Sequence, residues 1–138
     1  MSATKEPRDE LRARIDAIEG GYEFLLAYAA QGRATDKGGG TASRVREQLD
    51  AMQQALDGLG NVVRSVAATD PHDAATAGAP LFDALDRDAL HARSAIRLVL
   101  SRPDISSQLV DNLNASIHLR ALLTDLFVVD EALKQRVS

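Results

Sequence analysis

Leu119-Arg-Ala-Leu-Leu-Thr-Asp-Leu-Phe-Val-Val-Asp-Glu-Ala-Leu133 is the most apolar run of the chain, and it ends a helical stretch that the spacing extends from Ile105 to Val137. At 100° per residue, Leu109, Val110, Leu113 and Ile117 form one apolar stripe. Leu119, Leu122, Leu126, Val129 and Leu133 form another, turned about 150° away, and Leu123 and Phe127 widen it. A helix buried on one side keeps a single stripe. The long C-terminal helix is therefore expected either to break near Ser116 or to have its far half covered by a second body.

Upstream, the same periodicity marks three more helices. Pro7 suits a first helical position, where its missing N–H would have no partner anyway. Asp9 and Glu10 follow in the first turn, where negative charge favours the helix dipole. Leu11, Ile15, Ile18, Tyr22, Leu25 and Ala29 then alternate spacings of four and three, the seam of a packed helix. Gly20-Gly21 interrupts it and points to close packing or a bend. Val45, Leu49, Met52, Leu56, Leu59, Val63 and Val66 repeat the four–three spacing without a miss, behind a cap at Thr41 or Ser43. A third helix starts at Pro80, with Phe82, Leu85, Ala89, Ala92, Ile96 and Val99 inward. Ser101-Arg102-Pro103-Asp104 stops it.

The links are polar. Residues 32–42 and 69–79 are expected to be flexible loops, and residues 1–6 a disordered tail. No strand-like alternation is present. The fold expected is all-α: an antiparallel up-down-up-down four-helix bundle, one domain over residues 1–138.

Composition excludes several classes of function. With no cysteine among 138 residues, disulfides, thiolate-held zinc and thiol catalysis are impossible, and a reducing compartment fits. The polar N-terminus has no apolar signal core, and no uncharged run reaches the ~20 residues of a membrane span. A cytoplasmic protein with no membrane association is expected. The net charge of −4 argues against a nucleic-acid partner, which calls for a basic face. Arg8, Arg12, Arg14, Arg44 and Arg46 are interleaved with acids and read as solvated faces. Lys37 precedes the glycines of the first loop, the reverse of a phosphate-binding loop.

Three constellations bear on chemistry. Asp88-x-x-His91, Asp111-x-x-Asn114-x-x-x-His118 and Glu19/Glu23 carry metal-ligand residue types. They lie off the apolar seams, as do Glu47, Asp50 and Asp57, so no metal or cofactor site is expected. Asp86, Asp88, Asp125, Asp130, Ser106 and Ser107 give no nucleophile–base pair at readable spacing, and no enzymatic activity is expected. The string Asn114-Ala-Ser-Ile-His-Leu-Arg-Ala-Leu-Leu123 resembles, over ten residues, the His-Glu-Leu-Arg-Thr-Pro box of sensor kinases. It departs from that box in lacking the acid after the histidine and the proline after the arginine. The resemblance implies a phosphotransfer role for His118, with Arg120 beside it, and His118 shares a polar arc with Asp111 and Asn114.

The positive feature is the second stripe. Leu119, Leu122, Leu126, Phe127, Val129 and Leu133 exceed what one bundle face needs, and a surplus apolar face marks an interface. The function expected is a non-catalytic accessory or regulatory interaction module that homodimerises through its C-terminal helix. The alternatives are a phosphotransfer bundle centred on His118 and a metal- or cofactor-holding four-helix bundle.

Overall fold

The computed structural model describes residues 6–40 and 44–134. The expected tail falls almost wholly outside these residues, and the caps at Thr41 or Ser43 fall outside them too. The described residues contain helices and no strand. The order is α1 (Pro7–Ala29), α2 (Val45–Leu56), α3 (Leu59–Ala68), α4 (Ala74–Ala77), α5 (Ala79–Leu100), α6 (Ser107–Asn114) and α7 (Ile117–Leu133). All-α is the fold class.

α1 begins at Pro7 with Asp9 and Glu10 in its first turn, as the N-terminal signals dictate. Its seam runs Leu11, Ile15, Ile18, Gly21, Leu25 and Tyr28, one residue short of the expected Tyr22 and Ala29. Gly21 is where α1 meets α2: a Cβ there would lie 2.3 Å from Met52 Cγ. The glycine permits the close approach, whereas Gly20 faces open space.

The second apolar seam is buried from Val45 to Val66, yet it belongs to two helices. α2 ends at Leu56, Asp57 is extended, and Gly58 is left-handed at φ 70°. Only glycine takes that conformation without a Cβ penalty. Arg14 of α1 covers the exposed end of α2, donating to the carbonyls of Ala55 and Asp57 while its Nε pairs with Glu10 at 2.8 Å. α5 buries the six residues that its pattern names, Phe82, Leu85, Ala89, Ala92, Ile96 and Val99.

The first link is more ordered than its composition suggests. Asp36 is buried, accepts from the Ile105 N–H at 2.9 Å and pairs with Arg46 Nε at 2.7 Å. Arg33 exchanges hydrogen bonds with Ser107, its N–H reaching Ser107 Oγ at 2.8 Å and its carbonyl accepting the Ser107 N–H at 2.8 Å. Residues 33–37 are thus held against the start of α6, and the flexibility expected of this loop does not apply to them. Burial acts to raise the Asp36 carboxyl; Arg46 and the Ile105 N–H outweigh it and hold the group below its ordinary range. The second link carries the single turn α4, entered through Asp73 at φ 63°.

The long C-terminal helix breaks at the expected place. α6 closes at Asn114, and Ser116, at φ −56° and ψ 127°, stands before α7. The break turns the second apolar stripe back into the chain's own core. Leu119, Leu122, Leu123, Leu126, Val129 and Leu133 are all buried there. A new helix start leaves backbone N–H groups unpaired, at a net ~1 kcal/mol each. Burying one leucine or valine gains roughly 1.5–3 kcal/mol, so six buried aliphatics outweigh a few lost bonds.

This corrects the expected interface. Leu119, Leu122, Leu126, Val129 and Leu133 are core residues of the single chain, because the break re-phases them; of the six, Phe127 alone faces solvent.

Side-chain pairs show how the helices run. Gly21 on Met52 and Arg14 on Asp57 set α1 antiparallel to α2, and Asp57–Arg93 and Arg64–Asp83 set α2 and α3 antiparallel to α5. Arg12–Asp130 and the Asn114 amide on the Leu25 carbonyl set α6 and α7 antiparallel to α1.

Candidate functional site

The break at Ser116 gives α7 two faces with different fates. Its inner side is core. On its outer side Ile117 is 76% exposed, Phe127 55% and Val128 54%. At 100° per residue Ile117, Ala121, Thr124 and Val128 share one line along the helix, and Phe127 borders it. Two charged side chains, Arg120 and Glu131, share the Phe127 border. Glu131 pairs with Lys134 at 3.0 Å in an exposed i,i+3 contact. Ala115, Ile117, Arg120, Ala121 and Thr124 line a shallow depression at the start of this face. Ile117, grouped with Leu109, Val110 and Leu113 in one stripe on an unbroken wheel, is carried outward by the break.

His118 lies on the edge of α7 that meets α5. Its Nδ1 is 3.0 Å from Asp88 Oδ1, with side-chain exposures of 44% and 18%. The His91 ring stacks on it, centroids 4.2 Å apart and planes 14° from parallel. Asp125 completes the edge: burial, and then the neighbouring Asp88 charge, raise its carboxyl above the ordinary range. With Nδ1 turned to the carboxylate, Nε2 is the nitrogen left for a ligand or electrophile.

The structure brings together His118, Asp88 and His91, which come from separate helices, and parts others. Arg120 is two residues from His118, so it points to nearly the opposite side of α7 and is exposed. Asn114 leaves the polar arc as well. It is buried, its amide donating to the Leu25 carbonyl at 3.2 Å while its Oδ1 has no partner among the described residues. Glu19 lies near Asp130, and burial followed by that charge raises its carboxyl.

Nothing in this geometry gathers a cation. Among the described residues no three His, Asp or Glu side chains are placed to hold a metal ion. The histidine pair shows why: a metal lies in the plane of each imidazole it binds, along the nitrogen lone pair, and two stacked, nearly parallel rings share no such point. Nor is any helix of the described residues long and apolar enough to cross a membrane.

Sequence reasoning could not have found the Asp88–His118 pair, since 30 residues separate its members. The outer face is only partly readable once the break is granted: Ile117 and Val128 are the large apolar residues of α7 left outside the second stripe, whereas Phe127 is counted in that stripe and faces solvent instead. The chain matches no protein-family model, no curated protein and no solved structure.

Proposed function

We propose that the chain is a non-catalytic interaction module that works in the cytoplasm as an accessory or regulatory protein and homodimerises through the outer face of α7. We read α1, α2–α3, α5 and α6–α7 as four antiparallel legs, with α2–α3 and α6–α7 broken and the single turn α4 in a link, which makes the outer side of α7 the flank of a four-helix bundle. The observation that carries the reading is the exposure of Ile117, Phe127 and Val128 on a helix whose other side is fully used by the core. Three large apolar side chains within twelve residues are more than scattered surface residues would supply. A protein partner, not a nucleic acid, accords with the net charge of −4; the lack of cysteine suits a reducing compartment.

Light scattering over a range of concentrations tests this reading. A mass of two chains that falls to one on dilution is expected. A single-chain mass at every concentration overturns it.

One observation favours a second reading, a phosphotransfer bundle using His118. Asp88 holds the proton on Nδ1 and leaves the Nε2 lone pair free to attack phosphorus. Asp88 and Asp125 also make the surroundings negative, which opposes a phosphate dianion and places this reading second. With phosphoramidate as donor, Nε2 forms the P–N bond and ammonia leaves. Exposed His72, whose backbone N–H donates to Asp70 Oδ2 at 3.0 Å and whose imidazole has no partner among the described residues, is the internal reference. Faster labelling of His118 than of His72, lost in Asp88→Asn, is the expected result; equal rates remove the reading.

A further inference from the structure

The outer face of α7 carries its own complement. Arg120 and Glu131 are eleven positions apart, about 16 Å along the axis, and their directions around the helix differ by only about 20°. They flank the same side of the line through Ile117, Thr124 and Val128. The other flank carries Ala121 and Ala132, and beyond it His118 and Asp125 turn towards α5. One border of the face is therefore positive near its start and negative near its end, while the opposite border is uncharged.

That arrangement selects both an occupant and a direction. When two identical helices pack antiparallel about a two-fold axis, each flank meets the same flank of the copy, head to tail. Arg120 then faces the copy's Glu131, twice, with the axis passing midway between them, beside Asp125 and Leu126. In a parallel pair, Arg120 would instead meet the opposite border, where Ala121 lies. We propose that the occupant of this face is a second copy of the chain, its α7 antiparallel to the first, with reciprocal Arg120–Glu131 pairs at the two ends of an apolar strip. The proposal rests on the homodimer reading above and adds to it the direction and register.

The chemistry of the pairing is modest and reversible. Arg120 is exposed, with its guanidinium unpaired among the described residues. Glu131 holds only the exposed Lys134 contact, a kind of pair that contributes little in water, so it is free to exchange partners. A single helix of 17 residues is about 25 Å long, short for a permanent interface. Association that depends on concentration and weakens with salt follows.

Because the chain has no cysteine, single-cysteine variants test the register directly. For helices packed about 9 Å apart, the Thr124 Cα lies about 6 Å from its copy across the axis, within disulfide reach. The Ile117 Cα lies about 25 Å from its copy. Under mild oxidation, Thr124→Cys is expected to form a covalent dimer and Ile117→Cys to remain uncrosslinked. Arg120→Glu should weaken the dimer in light scattering, and Arg120→Glu with Glu131→Arg should restore it.

Efficient crosslinking of Ile117→Cys means a parallel pair and overturns the proposal. So does a wild-type dimer in which neither cysteine crosslinks or the double reversal fails to rescue. A wild type that is monomeric at every concentration instead removes the homodimer reading itself.

Discussion

The chain breaks two of its helical legs, and the two breaks differ in what they do to the apolar pattern. At Asp57-Gly58 the seam runs through the break: Leu56 before it and Leu59 after it are both buried, and the four–three spacing never falters. At Ala115-Ser116 the pattern itself jumps, and the break turns the second stripe towards the core that the first already faces. Hydrophobic spacing records which way residues face, not whether the backbone hydrogen bonds between them are continuous. A break that preserves phase is silent in it; a break that corrects phase is announced by it.

Substitutions can break or sharpen this contrast. The largest effect is expected at Leu126. If the Ser116 break folds the inner stripe into the core, Leu126→Asp places an unpaired carboxylate there and should cost at least ~4 kcal/mol. The exposed neighbour Val128→Asp should leave the fold intact to within about 0.5 kcal/mol. Chemical denaturation of the two variants reads the difference, and similar stabilities would mean that α7 is not docked by its inner side.

Next comes the clamp that anchors the leg carrying the second break. Asp36→Asn loses the Arg46 ion pair and weakens the bond from the Ile105 N–H, at about 2 kcal/mol. The folded carboxyl titrates below its ordinary range, so its contribution is complete above about pH 4 and fades as the pH falls through the lower folded value. Thermal melts of wild type and Asp36→Asn should therefore differ at pH 7 and converge in acid.

The breaks themselves come third. Gly58→Ala forces a Cβ into φ 70° and should cost about 1 kcal/mol. Ser116 makes no side-chain cap bond, so Ser116→Ala should change stability by less than about 0.5 kcal/mol. One break depends on a residue, the other on what its helix buries.

The smallest effect is at the edge of α7. The Asp125 carboxyl is raised by burial and by Asp88, so folding disfavours its charged form at neutral pH. Asp125→Asn should stabilise by no more than about 0.5 kcal/mol, with the gain vanishing below pH 4.

The same logic explains which parts of the molecule were legible. The bounds of α1 and α5 follow from Pro7, Pro80 and the polar stop after Leu100, all local signals. The Ser116 break was legible because it has a phase signature. The Gly58 break has none, although Asp57-Gly58 is a turn dipeptide that outweighs an unbroken seam once it is noticed. The order in residues 33–37 was hidden because Asp36 finds Arg46 and Ile105 across the fold; locally the segment reads only as polar and glycine-rich. Asn114 and the Asp88–His118 pair were hidden for the same reason, since contact between distant helices leaves no spacing to read. The interface expectation rested on the side of α7 that packs into the chain's own core. Leu119, Leu122, Leu126, Val129 and Leu133 were the surplus only while α6 and α7 were taken as one rod.

The most direct test of the account is the solution mass of three proteins measured side by side by sedimentation: wild type, Val128→Asp and Leu126→Asp. The account predicts a wild-type dimer that dissociates on dilution, a helical Val128→Asp monomer and a Leu126→Asp chain that loses its fold. A wild type that is monomeric throughout, or a Val128→Asp protein as dimeric as the wild type, would contradict it.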